Sequence, residues 1–123
     1  MTKAEAIKRA DLLRPNVIPL YQKIAWLEEL EGEFAECMET EPPLPTDMDS
    51  YDKENDTEEL LMPFPKEEVY ELFLCAKIDN AHEETELYTN DMLVANQAIS
   101  EAKRWWRRNN RPSRNGCLRR VYR

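Results

Sequence analysis

Four stretches of this chain carry apolar residues at steps of three and four, the signature of helices with one buried face. In the first, Thr2 and Glu5 form a capping-box pair ahead of Ala6, Ile7, Ala10 and Leu13, and Pro15 ends the run. The second follows Pro19. There Leu20, Ile24, Leu27, Phe34 and Met38, filled in by Trp26 and Leu30, predict a helix of about five turns. Gly32 lies inside it at a cost of about 1 kcal/mol against alanine, so close packing or a local bend is expected there. The third, from about Lys66, sets Val69, Tyr70, Leu72, Phe73, Leu74, Ala76 and Ile78 over more than half its circumference, which predicts the central, most buried helix. The fourth has the cleanest period, Tyr88, Met92, Ala95, Ile99, Ala102 and Trp106, with Asn90 as its N-cap and Pro112 as its end. Its seam needs a partner surface, and the third helix has the broadest one.

Between the second and third helices the period fails. Pro42, Pro43 and Pro45 precede an acidic run holding Asp47, Asp49, Asp52, Glu54, Asp56, Glu58 and Glu59. With no apolar spacing to bury, residues 41–59 read as a solvated loop, or at most a short hairpin; a connection this long is either mobile or ordered by a neighbour. Leu60, Leu61 and Met62 then form an apolar plug, and Pro65 stands where the third helix should start. Two glycines cannot supply the turns of a many-stranded sheet. The expected fold is therefore all-α: four helices in one domain over residues 1–112, the acidic loop at 41–59, and an extended arm from 113 to 123.

Charge divides the chain sharply. The residues from Lys103 onward carry nine cations and no acid, leaving eight cations against 25 acids, a net of −17, before them. An acidic body with one basic end suits head-to-tail assembly, or an arm that reaches an acidic partner. No run of about 18 apolar residues exists to span a membrane, and the N-terminus lacks the apolar stretch of a signal peptide, so a soluble, cytosol-made protein is expected.

Candidate chemistry is sparse. Cys37, Cys75 and Cys117 are odd in number and widely spaced, which argues for free thiols over a disulfide framework or a zinc site. His82 is the only histidine; Asp79, His82 and Glu86 share a face at helical spacing, but clusters of this kind on a charged helix usually face solvent. Glycine-rich phosphate loops are absent, no cysteine has a base near it in sequence, and the acids read as solvated charge without special pairing. No catalytic residue, metal or cofactor is assigned. Lys103, Arg104, Trp105, Trp106, Arg107 and Arg108 interleave cations with aromatics as single-strand binders do, yet the period puts Trp106 on the core seam and Trp105 on its flank.

Several segments, in order, resemble motifs of the small head-tail connector (adaptor, or head-completion) proteins of tailed phages and prophages. They are Leu13-Arg14-Pro15-Asn16, the run from Lys23 through Trp26 to Gly32, and Glu59-Leu60-Leu61-Met62-Pro63. Tyr70, Ala76 to Asp79, Glu84, Tyr88, Asn90, Asn96, Ala98 and Arg111-Pro112 follow at similar spacings, so the resemblance covers about residues 1–112. It implies a connector-type helical subunit of the virion neck, in a ring that is generally twelve-fold, docked to the portal protein above a head-closure or tail protein. Double-stranded DNA would pass through the channel without specific binding, and assembly would take place in the host cytoplasm. The resemblance further implies that the C-terminal arm inserts against the portal. Arg111, Arg114, Arg119, Arg120 and Arg123 would supply charge there, and Leu118, Val121 and Tyr122 apolar anchors. Asp47, Asp49, Asp52, Glu54 and Asp56 of the loop would line the channel or meet a neighbour. The chain departs from the family in carrying Trp105 and Trp106 where tyrosines stand, and in a longer, more basic segment after Pro112.

Three classes of function follow. A structural ring without catalysis accommodates the motif order and the charge division; at a formal −8 per chain, twelve copies would carry roughly −96, suited to a channel that DNA does not stick to. The alternative is a nucleic-acid-binding regulator using the basic Trp/Arg segment, with a log-log salt slope near about −5 if six phosphates are neutralised. An enzyme is the third, disfavoured by the missing constellations.

Overall fold

The computed structural model describes residues 1–110, which contain four α-helices, one 3-10 turn and no strand. The first helix, α1 (Lys3–Leu13), starts as its capping box dictates: Glu5 N–H donates to Thr2 Oγ1 at 3.2 Å and Thr2 N–H to Glu5 Oε1 at 3.0 Å. Ala6, Ile7 and Ala10 are buried, but Leu13 is 54% exposed. The predicted stripe therefore stops one turn early, because the helix ends at Arg14, where Pro15 disfavours a further helical residue.

The second helix, α2 (Leu20–Cys37), buries Ile24, Leu27, Leu30 and Phe34. It runs unbroken through Gly32, and a Cβ placed there would meet nothing within 4 Å, so the expected bend or close approach is absent. Glu39 ends the helix in a left-handed conformation (φ 55°), while Thr40 N–H donates back to Ala35 O at 3.0 Å, a Schellman closure with glutamate where glycine is usual.

The acidic loop contains the 3-10 turn Lys53–Asn55 and no hairpin; its only β-type pairing is an isolated bridge between Thr2 and Glu59. The groups that hold it belong to its own chain. Thr46 N–H donates to Glu28 at 2.6 Å, Ala4 N–H to Asp56 at 3.3 Å, and Leu60 N–H to Met1 O at 2.9 Å. Leu60 and Met62 are then buried as the apolar plug, with Leu61 half-buried.

Two turns separate Pro63 from α3 (Val69–Ala81), which begins with the first residue of its apolar pattern, three residues after the expected start at Lys66. This helix is the centre of the molecule: Val69, Tyr70, Phe73, Leu74, Cys75, Ala76 and Ile78 are all buried. α1 runs parallel to it, as the Arg9–Glu71 and Arg14–Asp79 ion pairs show. A second Schellman closure, with Glu83 at φ 59° and Glu84 N–H donating to Asp79 O at 3.1 Å, turns the chain straight into α4 (Thr85–Asn110). Asn90 is thus inside α4 and is not its cap.

α4 packs antiparallel along α3 through buried Ala95, Ile99 and Ala102, with Tyr88, Met92 and Trp106 half-buried at the ends of the predicted seam. At 1.5 Å per residue its 26 residues span about 39 Å, against about 20 Å for the 13 of α3. Val69 and Ala98 line the same cleft, so the last turns of α4 project beyond the start of α3.

Candidate interaction surfaces

The loop acids are fixed by their own backbone. Asp47 accepts from Asp49 N–H at 3.1 Å and Asp52 from Glu54 N–H at 3.0 Å, turns in which a side-chain oxygen replaces a backbone partner. Asp47, Asp49, Asp52 and Glu54 stay exposed, whereas Asp56 is half-buried, accepting from Ala4 N–H and, at 2.8 Å, from the Tyr51 hydroxyl. Burial and the nearby Asp56 carboxylate push the Tyr51 phenol well above its usual range, so it stays a donor. Asp47, Tyr51, Asp52 and Asp56, with Glu58 and Lys3, surround a recess of about 480 Å³.

The projecting end of α4 has the opposite sign. Lys103 reaches Glu33 at 3.9 Å, but Arg104, Arg107 and Arg108 are exposed and enter no ion pair among the described residues. Trp105 and Trp106 are both half-buried against the core, so neither ring is displayed as an open stacking platform. Arg111, Arg114, Leu118, Arg119, Arg120, Val121, Tyr122 and Arg123, the expected portal-docking residues, lie outside the described residues, as does Cys117.

Two buried polar clusters tie the helices together, and the reading of all acids as solvated charge fails at both. Glu31, 3% exposed, accepts from the Tyr70 hydroxyl and, at 2.9 Å, from Leu61 N–H; Met62 N–H donates to the Tyr70 oxygen at 2.8 Å. Burial raises the Glu31 pKa, with those hydrogen bonds opposing it. At the other end Arg14 donates to Asp79 at 3.1 Å and to Asp91 at 2.7 Å, joining α1, α3 and α4. Burial first, then the adjacent Asp91, pushes Asp79 up to about 6, while hydrogen bonding with Asp79 holds Asp91 below the usual carboxylate range. The pair behaves as two carboxyls competing for one proton beside one guanidinium.

No protein family, curated protein or solved structure matches this chain. Among the described residues no three His, Cys, Asp or Glu side chains are placed to hold a metal ion. The break at Glu83 ends the helix before Glu86, and His82 is exposed while Asp79 is buried, so the three do not share a face. Cys75 is buried, its thiol pushed up to about 11 chiefly by burial; Cys37 is half-buried, and both are free. No helix among the described residues is long and apolar enough to cross a membrane.

Sequence reasoning missed both clusters, although signals existed. Glu31 interrupts the stripe Leu27, Leu30, Phe34, and Asp79 follows Ile78 in a helix apolar almost all round. An acid at such a position must find partners or lose its charge.

Proposed function

We propose that this chain is a structural, non-catalytic subunit of a phage virion neck, a connector-type helical protein that assembles as a ring, joins the portal to the next neck or tail component and lets DNA pass. The observation that carries the reading is the separation of charge on a small helical body: an acidic loop braced against α1 and α2, and a helix end whose Arg104, Arg107 and Arg108 face outward. The order of connector-like segments from Leu13 to Pro112 supports it independently. In this reading residues 113–123 dock to the portal, and the acidic face keeps duplex DNA from adhering.

Deleting residues 113–123 tests it. The truncated protein should keep the helicity of the body but fail to attach to portal-bearing, DNA-filled heads, as scored by negative-stain imaging. Attachment at normal occupancy would sink the docking role. Retention of duplex DNA by the full chain, with a steep salt dependence lost on truncation, would favour a nucleic-acid-binding protein instead.

A further inference from the structure

We infer that the basic outer face at the end of α4 docks into the acid-walled recess of the loop on a second copy of this chain, forming a head-to-tail contact. This rests on the proposed self-assembly and names the surfaces that would make it. Arg104 and Arg107 continue an exposed stripe of α4 that begins at Leu93, 60% exposed, with Arg108 alongside. None of the three arginines has an acidic partner among the described residues. The recess offers what they lack: Asp47, Asp52, Asp56 and Glu58 stand around about 480 Å³, with Leu44 and Tyr51 also lining it. Lys3 pairs there with Glu58 at 3.7 Å and Asp56 already accepts from Ala4 and Tyr51, but Asp47 and Asp52 have no cationic partner among the described residues. Such a surface accepts the guanidinium at its acids and the methylene stem on its apolar wall.

The two surfaces do not pair within one molecule: no ion pair among the described residues joins Arg104, Arg107 or Arg108 to an acid of the loop. Glu28 holds the loop at Thr46, and Glu33 meets Lys103 of α4. Five residues apart at 100° per residue, these anchors lie about 140° round α2 from one another. The Thr46 end of the loop and the Lys103 turn of α4 are thus held on different faces of α2, and in this reading the complementary charges come together between copies. A contact between two different patches is heterologous, and repeating it either closes a ring or propagates a filament.

The full-length chain carrying Arg104→Glu and Arg107→Glu, and a second carrying Asp47→Lys and Asp52→Lys, test the contact by sedimentation velocity across a salt series. Wild type should self-associate, more weakly as salt rises, and each variant alone should associate about ten- to a hundredfold more weakly. Mixed one to one, the two variants should recover association, because each then presents the face the other needs. Asp47→Asn with Asp52→Asn keeps the turn-forming oxygens and should show a smaller loss, which guards against simple disruption of the loop. Wild-type association unchanged by either reversal, or no recovery on mixing when the Asn variant also associates normally, overturns the contact while leaving self-assembly intact. A wild type that stays monomeric at every concentration overturns both. Loss of duplex DNA binding in the arginine variant, with self-association unchanged, would reassign the face to nucleic acid.

Discussion

Tyr70→Phe removes one oxygen from the middle of the molecule and nothing else. The ring fits the same space and keeps its edge-to-face contact with Phe34, at 5.7 Å between centroids and 87° between planes. Two hydrogen bonds disappear: the one donated to the Glu31 carboxylate and the one accepted from Met62 N–H. Glu31 keeps Leu61 N–H, so one of its oxygens stays satisfied. A hydrogen bond to a charged acceptor contributes about 1.5–3 kcal/mol, and a buried N–H left without an acceptor costs about 1–3 kcal/mol. The two overlap, because the same oxygen serves both, so a loss of about 3 kcal/mol is expected, or roughly 12 °C in Tm for a domain this size. Urea unfolding followed by far-ultraviolet circular dichroism measures it, with an unchanged m-value placing the effect in the folded state. A variant within about 1 kcal/mol of wild type would show that the plug and Glu31 do not depend on this hydroxyl, and the clasp between α2, the plug and α3 would have to be abandoned.

Asp79→Asn should alter the pH dependence of stability. Asp79 holds its proton up to about 6, above its ordinary 3.8, so its ionisation removes stability as pH rises through that window, and Asn, which cannot ionise, should flatten the decline between about pH 4 and 7; urea midpoints at each pH measure it, and a slope equal to that of wild type refutes the shared-proton account. Gly32→Ala should stabilise by about 0.5–1 kcal/mol in the same assay, since the helix is regular and nothing within 4 Å obstructs the methyl; destabilisation would reveal a contact there. Glu83→Gly should stabilise by about 1 kcal/mol by relieving a left-handed glutamate at φ 59°, and a loss instead would mean that the side chain itself holds the α3–α4 turn. Ile99→Asp puts a charge into the α3–α4 seam and should yield insoluble or unfolded protein; a monodisperse, fully helical variant would contradict the seam.

What could be read from the chain was what repetition makes visible. The apolar steps in α2, α3 and α4 marked their buried faces, and the capping box at Thr2 marked where α1 begins. Each failure has a local cause. Glu39 and Glu83 occupy left-handed positions that glycine normally announces, so neither closure is marked in the sequence, and Asn90 resembles the cap of a helix that in fact starts at Thr85. Glu31 and Asp79 stand at positions that hint at burial, but their partners, Tyr70 and Arg14, are 39 and 65 residues away and no local pattern points to them. The acidic loop was legible as a loop, but its bracing at Glu28, Ala4 and Met1 depends on backbone donors that no residue pattern encodes.

That bracing makes the loop a separable module. Its ends are bolted, on one side by the α2 closure and Glu28, on the other by the Thr2–Glu59 bridge and the buried Leu60. Between Thr46 and Asp56 only Tyr51 packs against the core, so the rest of that segment is free to change in length and composition without disturbing the helices. Doubling such a segment raises the entropy of closure by only about 0.6 kcal/mol. Related chains could therefore change the chemistry of this surface by insertion or replacement while inheriting the body unaltered, and an engineer could graft a peptide at the same place. Here a short stretch, held at Tyr51 and Asp56, can alter one surface of the body while the helices keep their packing.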